Sequence, residues 1–137
     1  MSETRIPTRV VYESSVTAVG DEVEAFLSHG LLIFFADESP AELHRMSVRH
    51  VAKVADAGPQ AGDTIVLGEI SMEVLAVGSV VGDNLLQLGH LDLKANGLTE
   101  AKLPGDVNVA KQPLPLPSPG NAFRIVSAGR PSQEEPT

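Results

Sequence analysis

The sequence predicts a mainly β fold: a small closed barrel of short strands with two or three short helices. Three observations lead there. Apolar or alternating segments of strand length recur at close spacing along the whole chain. Gly, Pro, Asn and Asp punctuate them, as at Gly68-Glu69 and Asn96-Gly97. Helical periodicity appears only in isolated turns, never over a long amphipathic run.

Taken in order, residues 9–19 are rich in Val and Thr with partial alternation and suit a first strand. Residues 21–30 read as a short helix: an acidic first turn, then Val23, Phe26 and Leu27 on one face, with Gly30 as the stop. The continuous apolar run LLIFFA at 31–36 reads as a strand covered on both faces. Ser39-Pro40-Ala41-Glu42 is a helix start with a Ser cap and Pro at the first position. One helical turn and then a strand over about 46–54 fits the alternation of Met46, Val48, His50, Ala52 and Val54. Residues 63–67 and 70–77 read as a hairpin through Gly68-Glu69, and 83–88 as a helical turn ending at Gly89. Residues 90–95 alternate again and meet Asn96-Gly97, which predicts a hairpin into a strand at 98–103. Residues 107–110 and 123–126 would close the barrel. The run KQPLPLPSPGN at 111–121 admits two readings: an extended surface connection to the last strand, or a polyproline II ligand for a partner. No internal repeat is expected. The domain is expected to span 9–127, between a flexible N-terminus at 1–8 and a disordered tail at 128–137.

Length and composition limit the function. A chain of 137 residues makes one domain, with 42% hydrophobic residues to build a core that four Phe and one Tyr leave mainly aliphatic. Ten basic against eighteen acidic residues leave a net charge of −8, which disfavours both nucleic acid and anionic membrane surfaces. There is no Cys, so a disulfide, a thiolate nucleophile and Cys-based metal or iron–sulfur sites are excluded. No stretch approaches the ~18 consecutive apolar residues of a membrane span. The N-terminus lacks the apolar region of a secretory signal. A cytoplasmic protein, without direct membrane insertion, is expected.

Motifs for familiar chemistry are missing. The histidines at 29, 44, 50 and 90 form neither HxH nor HExxH, so no metal site is expected. Ser79 directly follows a glycine and is not in a nucleophile elbow, and no glycine-rich phosphate loop is present. No cofactor is implied. His50 stands out by its surroundings: from Leu43 to Ala55 there is no carboxylate, whereas Arg45, Arg49 and Lys53 give three of the ten basic residues. A local positive region favours an anion such as a phosphoryl group, which a neutral imidazole is competent to accept. The same pattern also describes a solvated basic face beside a half-buried histidine.

The stretch VGSVVGDNLLQLGHLDLKANG at 77–97 resembles the signature region of the glucitol/sorbitol-specific IIA component of the bacterial phosphoenolpyruvate-dependent sugar phosphotransferase system (PTS). The likeness is carried by Val77-Gly78-Ser79-Val80, Asn84-Leu85, Leu88-Gly89-His90 and Gly97. LLIFFADESPAEL at 31–43, Leu103-Pro104-Gly105 and the strand at 107–109 agree with it, so the resemblance covers roughly residues 10–127. It implies a phosphotransferase component whose phosphorylated histidine is His50, taking the group from phospho-HPr and passing it to a cysteine of the IIB component. That cysteine must lie on another chain, and the IIB/IIC membrane components are the implied acceptors in glucitol/sorbitol uptake. Arg49 and Lys53 are the candidates for charge around the phosphoryl group, and His90, Asn84 or Ser79 for the partner of the other ring nitrogen. One position departs: Ala52 stands where the family has a second histidine. An alternative is therefore a non-catalytic β-barrel regulatory or interaction module on the same scaffold.

Overall fold

The first strand, β1 (Val10–Val19), alternates sides, so that Tyr12, Ser14 and Val16 point inward and become buried. A computed structural model describes residues 8–129. After β1 come α1 (Val23–Leu27), β2 (Leu31–Ala36), a single 3-10 turn (Ala41–Leu43) and β3 (Val48–Ala55). Then follow β4 (Thr64–Leu67), β5 (Ile70–Val77), α2 (Val81–Leu88), β6 (Leu91–Lys94), β7 (Asp106–Val109) and β8 (Ala122–Val126). The eight strands form a closed barrel in the order β1-β3-β2-β6-β7-β5-β4-β8, with β8 returning to β1. Closure leaves no free edge, and the inward positions make one aliphatic core that includes Leu32, Ile65, Met72, Leu93, Val107 and Ile125. No helix among the described residues is long and apolar enough to cross a membrane.

The predicted barrel, both helices and the 67–70 hairpin are present. Three local expectations need correction. The strand expected at 98–103 does not form, because β6 already pairs with β2 on one side and, in parallel, with β7 on the other. Asn96-Gly97 does turn the chain, Asn96 Oδ1 accepting from Leu98 N–H at 3.0 Å, but a loop then carries it to the start of β7. Ser39 does not cap a helix: the turn at Ala41–Leu43 has no side-chain cap, and the Ser39 hydroxyl is buried without a hydrogen-bond partner. The Pro-rich 111–121 segment forms no strand and connects β7 to β8. The flexible ends expected at 1–8 and 128–137 fall largely outside the described residues.

The third correction is the internal repeat. In each half the first strand pairs antiparallel with the third and the second pairs parallel with the third: β1, β2 and β3, then β5, β6 and β7. The halves exchange their last strands, β4 joining β5 and β8 joining β1. Even the irregularities correspond, since β1 shifts register between Val16 and Ala18 and β5 between Val74 and Ala76. This aligns VTAVGDEV at 16–23 with VLAVGSVV at 74–81. Gly20 and Gly78 then play one role. Their N–H groups donate to Ser47 O (3.0 Å) and Asp106 O (2.8 Å), and a Cβ on either would sit about 2 Å from a backbone carbonyl oxygen, 2.2 Å at Gly20 and 2.1 Å at Gly78. Val23 and Val81 follow as the first, fully buried residues of α1 and α2. Gly30 and Gly89, both at positive φ, lead out of the two helical segments.

Candidate functional site

His50 lies on β3, opposite Val16 of β1 and beside Ala36 of β2, and its strand position turns the ring into the barrel. It is 2% exposed. Three of the chain's five aromatic residues surround it: Phe34 and Phe123 meet the imidazole edge-on with centroids at 5.6 and 5.8 Å, and Tyr12 is tilted against it at 6.1 Å. This apolar cage disfavours the imidazolium. Burial lowers the pKa below the ordinary value of 6.5, and the hydrogen bond to a backbone carbonyl opposes that only in part. The ring is therefore neutral at pH 7. Tyr12, pushed up to about 12 by burial, keeps its hydroxyl proton.

Both ring nitrogens are engaged. Nε2 lies 2.8 Å from the carbonyl oxygen of Gly89 and Nδ1 lies 2.7 Å from Ser14 Oγ. A carbonyl only accepts, so Nε2 carries the proton and donates it to Gly89. Nδ1 then holds the lone pair and accepts from the Ser14 hydroxyl. Ser14 is 1% exposed and is fixed in β1 between Ala52 of β3 and Phe123 of β8. Gly89 is the left-handed residue (φ 65°) that ends α2, a conformation that favours glycine. A cavity of about 280 Å³ reaches the histidine, with Tyr12, Glu38, Ala52, Leu86 and Gly89 in its wall. Val51 and Leu86, nearly half exposed, add an apolar rim.

The structure brings only some of the expected residues to this place. Arg49 neighbours His50 on β3 but does not line the cavity; its guanidinium is 3.9 Å from Asp37. Lys53 is exposed near the end of the same strand and also lies outside the cavity wall. The partner expected from His90, Asn84 or Ser79 comes instead from Ser14 and the Gly89 carbonyl. His90 is turned away: it stacks on Phe35 at 4.3 Å and its Nε2 is 3.0 Å from Asp92 Oδ1, on the face of β2 opposite inward-pointing Phe34. Asn84, half-buried in α2, contributes its backbone carbonyl to the helix end, and Ser79 is exposed in the turn before that helix. Among the described residues no group of His and carboxylate side chains is arranged to hold a metal.

Ser14 was detectable as the polar member of the alternating set Tyr12, Ser14, Val16. The duplicated half makes the contrast plain. Val109 takes the place of His50 opposite Val74, and Met72 takes the place of Ser14 two residues before it. One half of the barrel carries apolar side chains where the other carries this polar pair.

Residues 11–124 match the family model described as PTS system glucitol/sorbitol-specific IIA component. The chain is 36% identical over 121 residues to the PTS system glucitol/sorbitol-specific EIIA components of Shigella flexneri and of Escherichia coli K12, covering 86% of this chain and 96% of each relative. Among solved structures, the PTS system IIA component from Enterococcus faecalis V583 superposes with a TM-score of 0.67. It is 21% identical and is matched over 81% of this chain and 96% of its own, a likeness of fold.

Proposed function

This chain belongs to the glucitol/sorbitol-specific IIA component family of the PTS, and from that premise we propose that it is a phosphoryl carrier whose acceptor is His50. The observation that carries the assignment is a buried, neutral imidazole at the floor of a cavity. A neutral ring has a lone pair to offer, and an enclosed apolar site shields the resulting phosphohistidine from water.

The carrier takes the group from phospho-HPr and gives it to a IIB cysteine. In each transfer a nitrogen–phosphorus or sulfur–phosphorus bond forms in line with the one that breaks, and the electron pair of the broken bond stays with the donor atom. The apolar rim of Val51 and Leu86 gives the partner a surface to cover, which excludes water during transfer. Arg49 and Lys53 supply positive potential on the strand that presents His50, and the acidic remainder of the chain favours docking of a basic partner. Glucitol or sorbitol uptake is the transport this serves, and the soluble step belongs in the cytoplasm, where the donor is.

The test is incubation with phosphoenolpyruvate, enzyme I and HPr. The expected outcome is one acid-labile phosphoryl group per chain and none in His50→Gln; full labelling of that variant would reject His50. Ala52, standing in place of a second histidine, favours one other reading, a non-catalytic regulatory or interaction module. That reading predicts no label in the wild-type chain under the same conditions.

A further inference from the structure

The resting site is locked at both nitrogens. Nε2 has no lone pair because its proton is given to Gly89, and the lone pair of Nδ1 is covered by a hydroxyl that does not line the cavity. One of these two bonds must open before a phosphoryl group can be accepted. They differ in what holds them. Ser14 lies in the middle of β1 with a strand on either side, buried and outside the cavity wall, so freeing Nδ1 would leave its lone pair facing the barrel interior, out of reach of a donor. Gly89 lies in the cavity wall, at the end of a helix whose last three residues, Leu86, Gln87 and Leu88, are exposed. The peptide that follows it is weakly held on the inside, by His90 N–H to Asn84 O at 3.3 Å. At φ 65° a glycine can turn its ψ freely, where a side chain would be strained and would also meet Ala36 N at 2.7 Å.

We propose that Gly89 is a latch on His50: rotation of the Gly89–His90 peptide withdraws the carbonyl, and Nε2, the nitrogen on the cavity side, becomes the phosphoryl acceptor. Ser14 is the positioning residue that makes this exchange cheap. A hydroxyl both donates and accepts, so it turns from donor to Nδ1 into acceptor from Nδ1–H without moving its oxygen. Solvent takes the proton from Nε2 and returns one to Nδ1 through the Ser14 hydroxyl, which passes its own proton to Nδ1 and is reprotonated, so both the ring and the serine end with their charge unchanged. The freed Nε2 pair then forms the new N–P bond as the donor's N–P bond breaks, its electron pair returning to the donor nitrogen. After transfer, Ser14 holds the phosphorylated ring in one orientation through Nδ1–H.

This inference rests on the carrier reading, and one labelling experiment separates the two. Nitrogen and phosphorus NMR of the 15N-histidine-labelled full chain, before and after treatment with phosphoenolpyruvate, enzyme I and HPr, reads both tautomer and linkage. The latch predicts a neutral His50 protonated on Nε2 at rest, and phosphorus bonded to Nε2 with the proton on Nδ1 afterwards. Phosphorus on Nδ1 overturns the latch while leaving the carrier intact; no uptake overturns both. Because a Gly89 variant meets Ala36 and risks misfolding, Ser14 is the residue to change. Ser14→Ala should slow uptake roughly tenfold or more with the Nε2 linkage retained, and Ser14→Thr should recover much of the rate. An undiminished rate in a folded Ser14→Ala protein removes Ser14 from the proposal.

Discussion

A single histidine in an aromatic cage ties stability to chemistry here. Because burial lowers its pKa in the folded state, the unfolded chain binds a proton that the folded chain refuses in the window between that lowered value and about 6.5. The His50 contribution to stability is therefore complete above about pH 6.5 and is lost progressively as the pH falls toward the folded-state pKa. Urea titrations at pH 7.5 and pH 5.0 should show a larger drop in the wild-type midpoint than in His50→Gln, which lacks the group. Equal drops would mean that the imidazole titrates normally. The carboxylate-free stretch drew attention to His50 and the family resemblance made it the candidate nucleophile, yet its partners were not legible in the sequence. Ser14 is 36 residues away and Gly89 39 residues away along the chain, and only strand pairing and the α2 turn bring them to the ring.

At the scale of the element, the helices are placed by glycines. Gly20 and Gly78 let the chain leave β1 and β5 against a backbone carbonyl, where no methyl group fits. Gly78→Ala should cost about 3 kcal/mol, measured by urea unfolding, and Gly20→Ala a similar amount. Gly82 makes the opposite case. It lies inside α2 with open space where its Cβ would be, so Gly82→Ala should stabilise by about 0.5–1 kcal/mol. A gain at 78 like that at 82 would show that helix propensity, not the close approach of the chains, governs both. Local patterning revealed these elements well: the apolar run at 31–36, the Gly68 turn and the Gly89 stop all lie where alternation and turn chemistry put them. Asn96-Gly97 misled because a turn signal fixes the bend and not the strand after it. That choice fell to β7, which takes the remaining edge of β6.

For the whole molecule, closure is the dominant fact. Among the described residues β8 is the last strand, and it joins β1 to β4, with Phe123 and Ile125 fully buried. Ending the chain at Gly120 should abolish cooperative thermal unfolding rather than merely lower the midpoint, as followed by circular dichroism; a retained sharp transition would mean the remaining strands close without it. The duplication was present in the sequence as V-x-A-V-G-x-x-V at 16–23 and 74–81, but the two copies share few other residues, so register was needed to expose it. Among the described residues one half carries the buried pair of His50 and Ser14, and the proposed acceptor is placed there. The most direct test of that claim is to phosphorylate the chain through enzyme I and HPr and map the modified residue by fragmentation mass spectrometry under conditions that preserve phosphohistidine. One phosphoryl group on His50 is the predicted result; a group on His29, His44 or His90, or none at all, would contradict it.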